Sequence, residues 1–222
     1  IMSSTDLNTE AITTYEQTIV VAFRTSEDVT TRQVIWEEGG GWRGMNMYIY
    51  NGELYLGAYD RAANDPDDGG VSVPAFGYSY VKTPVQPNTT YILSHLFYAN
   101  PDNTLVGGYV KGYRNGTYFG GSMESNGDFA SGVGGVYLHP NPIGVGAVNS
   151  GSYMETGNTG EGNGRVTGTG NFPFKGRLAE ICYYNRLLND AERIIIENYL
   201  GAKYYASNIA NDKYDYQGNY GH

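Results

Sequence analysis

The chain has 222 residues and carries 14 Lys and Arg against 23 Asp and Glu, a formal charge of −9. Without a basic cluster, that balance speaks against nucleic acid, whose phosphates would be repelled, and no apolar run reaches the ~18 residues of a membrane span. Thirty-two glycines and 22 tyrosines, with only 17% charged residues, suit many short strands joined by tight turns rather than a helical bundle.

In chain order, Gln17 to Arg24 is a β-branched run that predicts a central strand buried on both faces. Gln33 to Glu37 follows, with Val34 and Trp36 expected on one face, and then the loop Gly39 to Gly44, which holds Trp42. Next comes the clearest hairpin, Met45 to Tyr50, Asn51-Gly52, Glu53 to Tyr59. Asn-Gly favours a two-residue type I′ turn, in which both residues take positive φ. That turn sets Ile49 opposite Leu54, Met47 opposite Leu56 and Met45 opposite Ala58 on an apolar face. Tyr48 opposite Tyr55 then falls on the other face, with Tyr50 and Tyr59.

Thr90 to Tyr98 reads as a second central strand, in which His95 is expected as a hydrogen-bonded interior residue. Asn115-Gly116 predicts another hairpin, with Tyr113 opposite Tyr118 and Gly112 opposite Phe119. Ile143 to Val148 and Gly176 to Tyr184 supply late strands, the latter holding the sole cysteine, Cys182, expected as a small buried hydrophobe. Asn189 and Glu192 form an Asn-x-x-Glu capping box that starts the one convincing helix. Its stripe Ile195, Ile196, Tyr199, Leu200 should seek cover on the sheet. Long polar loops are expected at Asp60 to Gly70, Ser122 to Gly135 and Asn149 to Gly170, gathered at one rim. The packed domain should span 1–204, with 205–222 a polar Tyr-rich tail or the start of another domain. A chain opening Ile1-Met-Ser-Ser reads as a piece of something longer.

Gly176-Arg-Leu-Ala-Glu-Ile-Cys-Tyr-Tyr-Asn-Arg-Leu-Leu-Asn-Asp-Ala-Glu-Arg, with Tyr199-Leu-Gly-Ala-Lys-Tyr204, resembles the closing signature of bacterial laminin-G-like, concanavalin A-like lectin/glucanase domains. The likeness extends over roughly residues 12 to 204. It implies an all-β fold, a two-sheet jelly-roll sandwich with one short C-terminal helix. It also implies a place in a secreted or surface protein such as an adhesin, and glycan or protein ligands, often with Ca²⁺ in a rim loop.

Glycoside hydrolysis on such a fold needs two carboxylates across the scissile bond. Glu37 and Glu38 are adjacent and face opposite ways, Glu124 and Asp128 lie in a Gly-rich stretch, and Glu180 has no second acid nearby. Three histidines and one cysteine form no nucleophile motif. A Ca²⁺ site is expected at Asp65, Asp67 and Asp68, because closely spaced carboxylates with glycine at a sharp turn suit a hard cation, although the same residues also favour plain turns. Sugar stacking would use Trp42 and the tyrosines Tyr48, Tyr50, Tyr55 and Tyr59. The expected function is a non-catalytic module that binds a glycan. The alternative is a structural or adhesive module packing against neighbouring domains, with a polysaccharide-degrading enzyme third.

Overall fold

The computed structural model describes residues 2–4, 12–41, 43–60, 77–99, 108–121, 136–138, 143–154, 165–204, 206 and 209–210. The first half contains β1 (Met2–Ser4), β2 (Ile12–Thr14), β3 (Glu16–Arg24), β4 (Gln33–Gly39), β5 (Arg43–Tyr50), β6 (Glu53–Asp60), β7 (Gly77–Pro84) and β8 (Thr90–Tyr98). The second contains β9 (Tyr109–Arg114), β10 (Thr117–Gly121), β11 (Val136–Leu138), β12 (Ile143–Val145), β13 (Gly151–Tyr153), β14 (Arg165–Thr167), β15 (Arg177–Tyr184) and α1 (Asp190–Tyr204). Six strands form one sheet, β1-β12-β4-β5-β6-β7, and five form the other, β10-β9-β8-β3-β15. This is the two-sheet β-sandwich with one helix that the sequence predicts.

Alternation explains the layers. Ile19, Val21 and Phe23 of β3 point inward with Leu93 and Phe97 of β8, and they meet Met45, Met47, Ile49, Leu54 and Leu56 of the opposite sheet. Each such burial stabilises by about 1.5–3 kcal/mol relative to exposure. Val20, Ala22 and Ile92 point outward, where Leu188 and Leu200 cover them. β3 is therefore buried on both faces, as its unbroken apolar run requires.

The Asn51-Gly52 hairpin has the predicted register throughout, with φ of 52° at Asn51 and 77° at Gly52. Three expectations about the strands and loops are corrected. A bulge between Val34 and Trp36 puts Val34 opposite Tyr48 and Trp36 opposite Met47, so the two side chains leave on opposite faces. A second bulge sets Gly112 opposite Gly120 instead of Phe119. The Phe119 ring then lies over Gly112, where a Cβ would come within 2.2 Å of it. The segment 149–170, expected as a loop, contains the antiparallel pair β13–β14.

α1 is capped reciprocally: Glu192 N donates to Asn189 Oδ1 at 3.0 Å and Asn189 N donates to Glu192 Oε2 at 3.0 Å. Its buried face is Arg193, Glu197, Asn198, Leu200 and Gly201, so only part of the expected stripe is covered. Ile195 is 63% exposed and Tyr199 50%, because the 3.6-residue period places them off the line through 193, 197, 200 and 201. Beyond the helix, Ile209 packs on Leu200 and Ala210 N donates to Asn115 O at 2.7 Å. Cys182 is half-buried beside the same cluster, and burial pushes its thiol up. His95 is interior, but neither of its nitrogens has a hydrogen-bond partner among the described residues. Burial holds it down at about 3, hence neutral.

Candidate functional site

The outer face of the six-stranded sheet carries a bed of tyrosines. The type I′ turn brings Tyr48 opposite Tyr55, and their rings stack at 4.7 Å with planes 3° apart. On β7, Tyr78 and Tyr80 extend the bed, 5.2 Å apart and stacked. Tyr78 leans across Gly57, where any Cβ would come within 2.5 Å of its ring.

The middle of this bed is roofed. Val148, Met154 and Tyr153 pack on it from the segment around β13. Asn46 Nδ2 anchors that roof by donating to Ser152 Oγ at 3.0 Å and Tyr153 O at 2.5 Å. Asn149 N donates to Glu37 Oε1 at 2.9 Å. Glu37 is fully buried, and desolvation pushes its carboxyl up to about 8, so it stays protonated at neutral pH. Tyr59 donates to Gly40 O at 2.8 Å. The ligand role expected of Tyr48, Tyr55 and Tyr59 is corrected accordingly: their exposures are 0%, 5% and 0%, and their rings serve as the packed bed beneath the surface.

Tyr50 differs. It is half-buried at the open margin, with the Arg32 guanidinium 4.4 Å above its ring. The same guanidinium lies 5.5 Å from the ring of Phe172, a cation–π arrangement on two aromatic faces. Phe172 has a φ of 52°, a left-handed conformation that is a genuine outlier for so bulky a residue. Val34 N holds it by donating to Phe172 O at 2.8 Å. Further along, Lys82 pairs with Glu53 at 2.7 Å and lies 5.7 Å from the Tyr55 ring, and half-buried Tyr80 follows, 5.7 Å from Tyr55. A strip of rings edged by charged hydrogen-bonding groups thus runs from Phe172 to Tyr80.

Trp42, Asp65, Asp67 and Asp68 lie outside the described residues. Arg32, Phe172, Tyr80 and Lys82 escaped the sequence reading. Alternation in Tyr78, Tyr80 and Lys82 was a usable signal for β7, whereas nothing local marks Phe172. Glu37 and Glu38 do face opposite ways, since Glu38 takes a 2.8 Å bond from Gln17 on the inner face. Burial pushes Glu38 up to about 7. Two carboxyls divided by the sheet cannot flank one glycosidic bond.

No family model matches this chain, and no curated protein matches it. Among solved structures it is similar to the CBM40 of the Ruminococcus gnavus IT-sialidase, at 20% identity and TM-score 0.46, covering 82% of this chain and 83% of that one. The same module bound to alpha2,3 sialyllactose gives 19% identity and TM-score 0.48, with 83% of each chain covered. The crystal structure of HCR/D-Sa-GBL1/C gives 10% identity and TM-score 0.50, covering 84% of this chain and 36% of that one. At such identities the likeness is one of fold.

Proposed function

We propose that this chain is a non-catalytic carbohydrate-recognition module whose binding face is the strip Phe172, Arg32, Tyr50, Lys82 and Tyr80. The observation that carries this reading is Arg32 held 4.4 Å over a half-buried Tyr50, on a bed already fixed by the Tyr48–Tyr55 stack. Aromatic faces stack on the apolar faces of sugar rings while charged edges bond hydroxyls, and a rigid bed keeps the ordering cost small. The laminin-G-like signature at residues 176–204 favours the same reading, with a secreted or surface parent protein, and the closely spaced carboxylates Asp65, Asp67 and Asp68 would hold any Ca²⁺. A glycan array probed with and without chelator tests it. Binding that is lost in Tyr50→Ala supports the aromatic strip, and loss on chelation assigns the metal.

A second reading has one observation in its favour. Ile195 and Tyr199 stand exposed one turn apart on α1, an apolar pair suited to packing against a neighbouring domain. An empty array under both conditions favours that structural role.

A further inference from the structure

A cleft of about 460 Å³ opens where β3 ends and β15 begins, lined by Arg24, Ser26, Asn88, Lys175 and Arg177, with Glu27 as its acidic member. Its cations sit together on a chain whose net charge is −9. Arg24 and Arg177 are direct cross-strand partners in the antiparallel pair, and both are exposed. Like charges set opposite one another weaken a sheet. Among the described residues neither guanidinium forms an ion pair, and Arg24 reaches only the Thr90 hydroxyl, at 3.5 Å.

The remaining charges define how much is unbalanced. Lys175 Nζ is matched by Asp28 at 2.7 Å and also donates to Thr31 at 3.0 Å. Glu27 offsets one arginine by its presence, and one positive charge is left over with two guanidinium forks to deliver it. The side-chain amide of Asn88 makes no hydrogen bond among the described residues, its backbone N being spent on Ser26 O at 3.0 Å. Gly176 fixes the floor, since a Cβ there would come within 2.1 Å of Arg24 O. The two arginine-bearing strands can approach this closely only with glycine between them.

We propose that this cleft is an anion-recognition site for one singly charged planar or tetrahedral oxyanion, a carboxylate or a sulfate monoester, borne on a saccharide. Guanidinium forks match such groups with paired N–H donors, and one unbalanced charge suits a monoanion. The anion step stands independently of the aromatic strip; the saccharide carrier rests on the function proposed above.

The test is an amide-resolved NMR titration of the whole chain at fixed ionic strength with sodium glucuronate, glucose 6-sulfate, inorganic sulfate and glucose. Saturable shifts at Ser26, Glu27, Gly176 and Arg177 are expected with glucuronate or glucose 6-sulfate and not with glucose. The two sugar acids distinguish carboxylate from sulfate ester, and an equal response to inorganic sulfate assigns the site to the free anion and overturns the saccharide carrier. Arg24→Gln with Arg177→Gln should weaken the response at least tenfold. Because like charges are relieved, Arg177→Gln alone should keep or raise the thermal midpoint, which separates lost binding from lost fold. No saturable shift with any anion, or an unchanged response in the double variant, overturns the site. A responsive cleft on a chain whose aromatic strip binds no sugar would sink the proposed function and with it the saccharide carrier, and would leave the anion site standing.

Discussion

Tyr48 and Tyr55 face one another across the β5–β6 hairpin with ring centroids 4.7 Å apart and planes 3° from parallel. A two-residue Asn-Gly turn sets this geometry, so the bed under the candidate glycan surface follows from local sequence. Bed and surface should separate on mutation. Tyr48→Ala removes a fully buried ring and should cost about 3–5 kcal/mol of stability. Tyr50→Ala should cost far less stability and act mainly on binding. Urea unfolding of both variants checks this, and equal losses would contradict it.

Glu37 makes stability depend on pH. Its carboxyl is pushed from 4.5 to about 8 by burial, so between those values the folded chain holds a proton that the unfolded chain releases. Glu37 therefore contributes stability on the acid side of this window that is lost as pH rises toward 8. The loss is clearest above 6.5, because below that value buried neutral His95, held at about 3, opposes the slope. Glu38, pushed up to about 7, acts in the same direction. Asp28, held well below the ordinary carboxylate range first by Lys175, is ionised in both states there and leaves the slope unchanged. Glu37→Gln should flatten the fall in thermal midpoint between pH 5 and pH 8 and leave the variant the more stable chain at pH 8 (both pH values being roughly the window edges). A wild-type midpoint that rises over this range would contradict the assignment.

The capping box is a simple stability element. Asn189→Ala removes the acceptor for Glu192 N and should destabilise by about 1 kcal/mol. The measurement is the denaturant midpoint at unchanged m-value.

Between α1 and the five-stranded sheet, Arg193 Nη1 donates to Glu197 Oε2 at 2.6 Å and Ser94 Oγ donates to Glu197 Oε1 at 2.7 Å. The Arg193 guanidinium also lies 3.6 Å over the Tyr113 ring. Glu197→Ala leaves a buried cation whose one remaining charged partner among the described residues is exposed Asp190, and should cost about 3–5 kcal/mol. Arg193→Met combined with Glu197→Leu should recover much of that loss. A double-mutant cycle without coupling would show that the pair is not a unit.

The sandwich was legible wherever pattern and turn chemistry agreed. Asn51-Gly52 gave register to the residue, and β3 and β8 declared themselves by apolar runs on both faces. The bulges at Val34/Trp36 and Phe119 were not legible, because one extra residue is favoured only once the facing sheet offers a place for Trp36 or Phe119. The site was legible only in part for a similar reason. Alternation placed Tyr48, Tyr50, Tyr55 and Tyr59 on one face correctly, but their exposure depends on a roof from residues about ninety or more positions later in the chain, tied down through Asn46 and Ser152. Phe172 and the Arg24–Arg177 juxtaposition arise from such long-range pairing too.

The most direct test is isothermal titration of the whole chain with an oligosaccharide selected on the glycan array, repeated with Tyr50→Ala and with Tyr48→Phe. Losing a stacking ring should cost about 1.5 kcal/mol, roughly a tenfold weaker Kd. That weakening is expected for Tyr50→Ala, while Tyr48→Phe should bind as the native chain does. Undiminished affinity in Tyr50→Ala, or an array that selects no oligosaccharide at all, would contradict it.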